Sequence, residues 1–276
     1  MNKVIIGIIG GTGNMGRWFE KFFSDSGHTV LISGRKTKLT YEDIVKKSNI
    51  VVLSMPLHAS VNLAEKIGPL LGKDQALIDL CSLKEKILKV MLEHSSCEVF
   101  GTHPLFGPLT ESIKGQNVVI CPGRGEYWLK WLKKEFIKKE AVVTHMDAAA
   151  HDKNMALVQG LTHLLTICMG KTLQKMNIPP DEAVYCSTPV FKTKLDLVGR
   201  LFAQDLSLYK DLVGKNRYVK DVLEIFLASF DEAKKALLSE KDEDGIKFLE
   251  NIRNFLGGYC EEGLKESGKI LNSLYT

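Results

Sequence analysis

The stretch Val4-Ile5-Ile6-Gly7-Ile8-Ile9-Gly10-Gly11-Thr12-Gly13-Asn14-Met15-Gly16 decides the fold of the first half of this chain. Its apolar beginning predicts a buried strand, and the helical pattern from Met15 to Ser26 predicts that a helix follows. A G-x-G-x-x-G loop lies between them, where glycines permit a tight turn and close approach of a pyrophosphate to the helix N-terminus. The alternative is a glycine-rich turn without a ligand. We predict that a dinucleotide binds here, on Gly11, Thr12, Gly13, Asn14, Met15 and Gly16.

The rest of the first half alternates β-rich runs with helical patterns. Several runs are apolar at consecutive positions, which indicates strands buried on both faces. The predicted strands are Val4 to Ile9, Thr29 to Ser33, Ile50 to Ser54, Ala76 to Asp79, Val99 to Thr102, Val118 to Cys121 and Ala141 to Thr144. The predicted helices are Met15 to Ser26, Tyr41 to Lys47, Val61 to Ile67, Lys84 to Leu92 and Glu126 to Phe136. We predict an α/β domain over residues 1–146, with a doubly wound, mainly parallel (Rossmann) sheet.

Residues 147–276 contain helical patterns and no convincing strand. Ala148 to Met176 predicts one long helix, apolar almost all round in its middle, which indicates burial between domains or subunits. Asn177-Ile178-Pro179-Pro180 ends it, and Asp181 can begin the next helix. The other predicted helices are Val190 to Phe202, Leu206 to Val213, Tyr218 to Glu240 and Glu243 to Leu274. A separate all-helical domain is therefore expected.

Composition restricts the class of protein. The 276 residues correspond to just under two domains, and 45% hydrophobic with 25% charged residues is typical of globular chains. The net charge of +4 comes from dispersed basic residues, so a nucleic-acid platform is not indicated. We find no signal peptide and no apolar stretch suited to a membrane span. Six scattered cysteines without a C-x-x-C pair favour reduced thiols in the cytoplasm and no zinc site.

The second and third strands border the expected dinucleotide. The second ends in Ile32-Ser33-Gly34-Arg35-Lys36, without the carboxylate that usually binds the ribose hydroxyls of NAD. Ser33 can donate to a 2′-phosphate and Arg35 can pair with it, so NADP is favoured over NAD. The alternative is a solvated basic turn. The third strand leads into Pro56 at the same sheet edge, where we expect contact with the cofactor, and His58 beside it is equally well a plain loop residue.

Two further loops at this edge carry reactive groups. Ile78-Asp79-Leu80-Cys81-Ser82-Leu83-Lys84 supplies a hydroxyl and an ammonium, and Gly101-Thr102-His103-Pro104-Leu105-Phe106-Gly107-Pro108 supplies an imidazole. Histidine is well matched to accept a proton near neutral pH, so His103 is a candidate base, although a lone histidine in such a loop is often a turn residue.

The helical half contains two histidines and two cations of interest. In a regular helix His151 and His163 would lie about 120° and about 18 Å apart, too far to share a metal. Asp152 suits the helix dipole, and His163 suits a core position unless a site adjoins the helix. Lys192 and Arg200 share a helix face, which would suit a dianionic substrate or a solvated surface.

Three motifs resemble the prephenate dehydrogenase family of tyrosine biosynthesis over nearly the whole chain. They are Gly101-Thr102-His103-Pro104-Leu105-Phe106-Gly107-Pro108, His151-Asp152-Lys153-Asn154-Met155-Ala156-Leu157-Val158-Gln159 and Val198-Gly199-Arg200-Leu201-Phe202-Ala203-Gln204-Asp205. The resemblance implies a nucleotide-binding domain, a helical domain that forms a homodimer, and oxidative decarboxylation of prephenate to 4-hydroxyphenylpyruvate. Some members of that family carry a fused chorismate mutase ahead of the nucleotide-binding domain. Because the first predicted strand starts at Val4, we expect none on that side here, and no separate regulatory domain after the helical one.

The resemblance also implies roles for single residues. His103 matches the family's catalytic histidine, and Ser82 matches a serine that hydrogen-bonds the same region of the substrate. Arg200 matches the arginine that pairs with the ring carboxylate. The remaining matches to the substrate site are Lys84, Lys192, His163 and Tyr209.

Two alternatives stay open. Arogenate dehydrogenase uses the same chemistry on a substrate with an amine in place of the ketone. A sensor module that binds NADP without hydride transfer is the non-enzyme alternative, and the joint presence of His103, Ser82 and Arg200 argues against it.

Overall fold

The computed structural model describes residues 3–275, which divide into two compact units, one ending at Met155 and the other beginning at Ala156. The predicted boundary after residue 146 lies a short way before this division and stays a prediction.

The first unit is built on a seven-stranded sheet, and all seven predicted strands are confirmed. The strand order is β2-β1-β3-β4-β5-β6-β7, and every pairing is parallel except β5 with β6. This is the predicted doubly wound, mainly parallel sheet. The strands are β1 (Ile5–Ile9), β2 (Thr29–Ser33), β3 (Ile50–Leu53), β4 (Ala76–Asp79), β5 (Glu98–Pro104), β6 (Asn117–Arg124) and β7 (Val142–His145).

Helices cover both faces of the sheet, which explains why its strands are apolar at consecutive positions. In β3, Ile50 and Val52 join one buried cluster while Val51 and Leu53 join the other. The first cluster also contains side chains of the helices over residues 14–25 and 127–138, and the second contains side chains of the helices over residues 41–47, 57–67 and 85–94. The helices are α1 (Asn14–Asp25), α2 (Tyr41–Lys47), α3 (Leu57–Ile67), α4 (Glu85–His94), α5 (Tyr127–Lys138) and α6 (Ala148–Met155).

Within the described residues, every regular element of the second unit is a helix, as predicted. Its helices are α7 (Thr162–Met176), α8 (Pro180–Tyr185), α9 (Pro189–Phe202), α10 (Leu206–Gly214), α11 (Val219–Leu237), α12 (Asp242–Leu256) and α13 (Tyr259–Asn272).

Two helix predictions need correction. The predicted helix from Glu243 to Leu274 is wrong as one element, because Gly257 has a φ of 55° and ends α12 before α13 begins. Residues Ala148–Met176 stay helical, but Ala156–Leu161 forms a π-helical segment. Since π-helical turns contain more residues than α-helical ones, the angle estimated between His151 and His163 from a regular helix does not hold.

Within residues 3–275 there is no helix both long and apolar enough to cross a membrane. The same residues contain no group of three or more His, Cys, Asp or Glu side chains suited to holding a metal ion.

Candidate active site

The glycine loop between β1 and α1 is packed too closely for side chains at two of its glycines. A Cβ at Gly11 would lie 2.7 Å from the Cβ of Ile32, and one at Gly16 would lie 2.6 Å from the carbonyl oxygen of Gly10. Gly13 is the N-cap of α1 and gives it no side-chain cap. The first-turn amides of α1 are therefore not capped by a side chain and suit an anion, so the loop fits the pyrophosphate of a dinucleotide.

The end of β2 differs from the expectation at one residue. Ser33 is buried and its hydroxyl donates to the carbonyl of Leu39 at 2.9 Å, so its expected donation to a 2′-phosphate is corrected. Gly34 lies against Thr12, since a Cβ there would lie 2.5 Å from the Thr12 Oγ1. Arg35 follows on an exposed turn, and it is the remaining candidate of the two for a phosphate contact.

The end of β3 lies beside the glycine loop. A Cβ at Gly10, whose φ is 83°, would lie 2.2 Å from the carbonyl oxygen of Ser54. Pro56 then caps the start of α3, and His58 is exposed in the first turn of that helix. The structure therefore places Pro56 close to the loop, at the carboxyl edge that β1 and β3 share.

His103 lies within a strand rather than in the loop where the sequence places it. β5 continues through Pro104, and His103 is opposite Val119 of the antiparallel neighbour β6. Its side chain is buried, with the whole residue only 3% exposed. Sheet pairing therefore fixes this histidine at the carboxyl edge more firmly than a loop would.

A buried ion pair lies directly beside His103. The ammonium of Lys84 pairs with the Asp79 carboxylate and donates to the Thr102 carbonyl at 2.9 Å, and both charged side chains are fully buried. Asp79 also accepts from the backbone N–H of Cys81 at 2.8 Å. The charge of Lys84 is thus held inside the protein and braces the residue before His103, which argues against the expected direct contact of Lys84 with substrate.

A chain of hydrogen bonds connects His103 to the start of α4. The Nδ1 of His103 lies 2.9 Å from the Nε2 of His151, and the Nδ1 of His151 lies 2.7 Å from Oδ1 of Asp152. The Asp152 carboxylate accepts from the backbone N–H groups of Lys84 and Glu85 at 2.7 and 3.0 Å. It thus caps α4 from another helix, a role that the simple dipole interpretation of Asp152 missed.

These surroundings control the charge of His103. Burial, the His151 ring and the Lys84 ammonium together hold the pKa of His103 well below its ordinary value of 6.5. The imidazole is consequently neutral at physiological pH and able to accept a proton. The nearby thiols are unsuited to nucleophilic chemistry, because burial raises the pKa of both Cys81 and Cys121 to about 12.

Ser82 lies in the loop between β4 and α4, two residues before the buried Lys84, and is half-buried. β4 is parallel to β5, so this loop begins at the same sheet edge that carries His103. Sequence reasoning named Ser82 and His103 but missed Asp79, His151 and Asp152 as their surroundings. Only the short spacing of Asp79 from Lys84 gave a signal for any of these contacts.

In the helical unit, three of the predicted substrate residues lie near one another. The rings of His163 and Tyr209 meet edge to face with centroids 4.9 Å apart. Burial raises the pKa of Tyr209 while the charge of Arg200 lowers it, which places Arg200 within electrostatic reach. Burial also lowers the pKa of His163. Arg200 is exposed and lines a cavity of about 870 Å³.

Lys192 differs from the expected second cation on this helix face. Its ammonium lies 2.6 and 2.7 Å from the two carboxylate oxygens of Asp196, one turn further along α9. Asp196 lies between Lys192 and Arg200 in the sequence of this helix, so the two predicted cations alternate with a carboxylate, and the role of Lys192 toward substrate stays a prediction.

The fold and the glycine loop place this chain in the class of dinucleotide-binding α/β proteins. Two family models match it: the nucleotide-binding domain of prephenate dehydrogenase over residues 32–145 and the dimerization domain of prephenate dehydrogenase over residues 147–254. The T-protein of Enterobacter agglomerans is 33% identical over 267 residues, which cover 96% of this chain and 71% of that protein. The chain therefore belongs to the prephenate dehydrogenase family of enzymes.

Other relatives carry more than one substrate name. The probable arogenate/prephenate dehydrogenase of Methanocaldococcus jannaschii is 30% identical, covering 99% of this chain and 65% of that protein. The crystal structure of prephenate dehydrogenase from A. aeolicus, in complex with hydroxyphenyl propionate and NAD+, has the same fold. Its TM-score is 0.72 at 22% identity, with 92% of this chain and 97% of that chain covered.

Proposed function

We propose that this chain is an NADP-dependent prephenate dehydrogenase, which converts prephenate to 4-hydroxyphenylpyruvate with loss of carbon dioxide. The observation that carries the proposal is His103, neutral and buried at the carboxyl edge of the sheet, in a chain of this family. Membership of the prephenate dehydrogenase family supports the choice of substrate.

His103 is the group that takes the proton of the ring hydroxyl. When the O–H bond breaks, its electron pair forms a C=O bond, while the C–H bond on the same ring carbon breaks and its hydrogen leaves as hydride. The C–CO₂ bond then breaks, and its electrons restore the aromatic ring. The proton held by His103 returns to the resulting phenolate oxygen, so no net proton is released. A neutral imidazole whose pKa is kept below 6.5 suits this temporary acceptance. When bound, the nicotinamide ring supplies the hydride acceptor.

The remaining predicted substrate residues orient the molecule. Arg200 is proposed to pair with a substrate carboxylate, since a guanidinium matches that group with two hydrogen bonds. Its nearness to the His163–Tyr209 ring pair supports a shared role in binding the substrate. Ser82, half-buried in the loop after β4, is proposed to hydrogen-bond the ring hydroxyl.

Two properties of the turn after β2 support NADP over NAD. The strand ends without a carboxylate that would repel a 2′-phosphate, and Arg35 is exposed on the turn that follows. The preference rests on Arg35 alone, because the Ser33 hydroxyl donates to Leu39.

We also propose a homodimer formed through the helical unit. Large apolar side chains of this unit are more than half exposed in the single chain, as expected of a face covered by a second copy. The family model that matches this region is a dimerization domain. Examples are Leu157, Val158, Ile225, Phe230, Phe255 and Leu264.

One assay tests the proposal. Purified protein is mixed with prephenate or arogenate and with NADP or NAD, and the near-ultraviolet absorbance of the reduced cofactor is followed. We expect the fastest turnover with prephenate and NADP, and a fall in kcat of about 10²–10⁴-fold for His103→Asn with folding intact. Faster turnover with arogenate would replace prephenate as the substrate. Absence of turnover with all four pairs would overturn the enzyme function.

A further inference from the structure

We propose that His151 and Asp152 are positioning residues that fix the tautomer of His103, so that its Nε2 is the atom that accepts the substrate proton. The inference rests on the proposed function for its catalytic consequence, but the tautomer itself does not depend on any substrate.

The argument starts at Asp152. Its carboxylate accepts hydrogen bonds from the backbone N–H groups of Lys84 and Glu85, at 2.7 and 3.0 Å. These groups are the first amides of α4, where the helix dipole favours a negative charge. A carboxylate that binds these amides does so as an acceptor, and a carboxylate can only accept hydrogen bonds.

The proton positions along the hydrogen-bonded series His103–His151–Asp152 follow by elimination. Because Asp152 can only accept, the ring nitrogen of His151 that lies 2.7 Å away, Nδ1, must carry a proton and donate it. A neutral imidazole has one proton, so the Nε2 of His151 is an acceptor. The Nδ1 of His103, 2.9 Å from that Nε2, must then be the donor. In this tautomer the lone pair of the neutral His103 ring is on Nε2.

The charges around the His103–His151–Asp152 series favour the same proton positions. Both histidines are buried, His151 completely, so burial disfavours a positive charge on either ring. Titratable groups that face His103 include His151 and Lys84, and the ammonium of Lys84 is paired with Asp79. When His103 takes up the substrate proton at Nε2, its Nδ1–H hydrogen bond to His151 keeps the ring in place. The carboxylate of Asp152 then attracts the positive charge through the His151 ring, without a second proton transfer.

Two substitutions of His151 test its two hydrogen bonds separately, the one to His103 and the one to Asp152. A glutamine carboxamide reaches the position of Nε2 and keeps an acceptor for His103, whereas an asparagine carboxamide reaches only Nδ1 and keeps the contact with Asp152. We expect His151→Asn to lower kcat about 10²-fold or more, as loss of tautomer control does in a catalytic triad. His151→Gln should stay within about tenfold of the wild type, and KM for prephenate should change little in either variant.

A control variant distinguishes positioning from simple loss of a buried histidine. His28 is buried in the same unit, 3.5 Å from Glu135 and away from the carboxyl edge. His28→Asn should lower the thermal unfolding temperature as His151→Asn does, and leave kcat unchanged.

The tautomer is measured directly by two-bond nitrogen–proton NMR correlations on the full chain, labelled at the histidine ring nitrogens. The His103 signals are identified among the seven histidines by their loss in His103→Asn. We expect a protonated Nδ1 in the wild type and in His151→Gln, and loss of that fixed tautomer in His151→Asn. A proton on Nε2 in the wild type, or an unchanged tautomer in His151→Asn, would overturn the inference. If the protein turns over neither substrate yet has the Nδ1–H tautomer, the proposed function fails and the tautomer assignment stands.

Discussion

Replacement of Lys84 by methionine separates a structural role for this lysine from direct substrate binding. In the folded chain its ammonium is fully buried, pairs with Asp79 and donates to the Thr102 carbonyl. Lys84→Met keeps most of the apolar stem but removes the charge. The Asp79 carboxylate would then retain only the N–H of Cys81 as a donor among the hydrogen bonds described above.

Loss of one partner from a buried ion pair costs about 3–5 kcal/mol, because the other charge is left in a medium of low dielectric. A single domain is stable by only about 5–15 kcal/mol, so the unit containing the sheet would lose a large part of its stability. For a urea dependence of about 2 kcal/mol per M, the midpoint of unfolding should fall by about 2 M.

Tryptophan fluorescence during urea unfolding measures this unit alone, because all three tryptophans, Trp18, Trp128 and Trp131, belong to it. The matched control is Lys21→Met. It removes an exposed ion pair in which the Lys21 Nζ lies 2.7 Å from the Asp25 Oδ2. It should cost below about 1 kcal/mol.

A second replacement tests the pairing itself. Asp79→Asn in the Lys84→Met background removes the orphaned charge and should recover part of the lost stability. A midpoint for Lys84→Met no lower than that of Lys21→Met, together with a large rise in KM for prephenate, would refute the structural role and restore direct substrate binding.

Three further predictions concern the site. Because the pKa of His103 is lowered from 6.5, the unfolded chain binds a proton that the folded chain does not. Stability should therefore be full above about pH 6.5 and fall below it, by up to about 1.4 kcal/mol per pH unit, and His103→Asn should flatten this slope in urea titrations. Arg35→Asp should reverse the preference for NADP over NAD in kcat/KM, and an unchanged preference would refute the role of Arg35. Arg200→Ala should raise KM for prephenate about 10-fold or more, and an unchanged KM would exclude its pairing with the carboxylate.

The sequence predicted the sheet well because its signals are local. Consecutive apolar residues such as Ile50 to Leu53 mark a strand covered on both faces, and glycine spacing marks the turn before α1. Errors in the helices were local too, since the break at Gly257 depends on a positive φ that the charged, amphipathic pattern around it does not encode.

The surroundings of the candidate site could not be predicted in the same way. The hydrogen bonds from Lys84 and Glu85 to Asp152 join residues 68 and 67 positions apart. Periodicity contains no information about such contacts, so Asp152 was assigned to the dipole of its own helix. The loop position of Lys84 and its match to the family predict a contact with substrate, but neither signal contains its burial, which the ion pair with Asp79 makes possible.

Lys84 connects the two buried polar groups that hold His103. Its side chain braces the carbonyl of Thr102, and its backbone N–H donates to Asp152, which orients His103 through His151. This double use explains why residue 101 is glycine, since a Cβ there would lie 2.8 Å from the Cδ of Lys84. A substitution that shifts both the backbone and the side chain of Lys84 must disturb the ion pair with Asp79 and the hydrogen bond to Asp152. Stability and proton acceptance at this edge of the sheet are therefore coupled through one residue that need not touch the substrate.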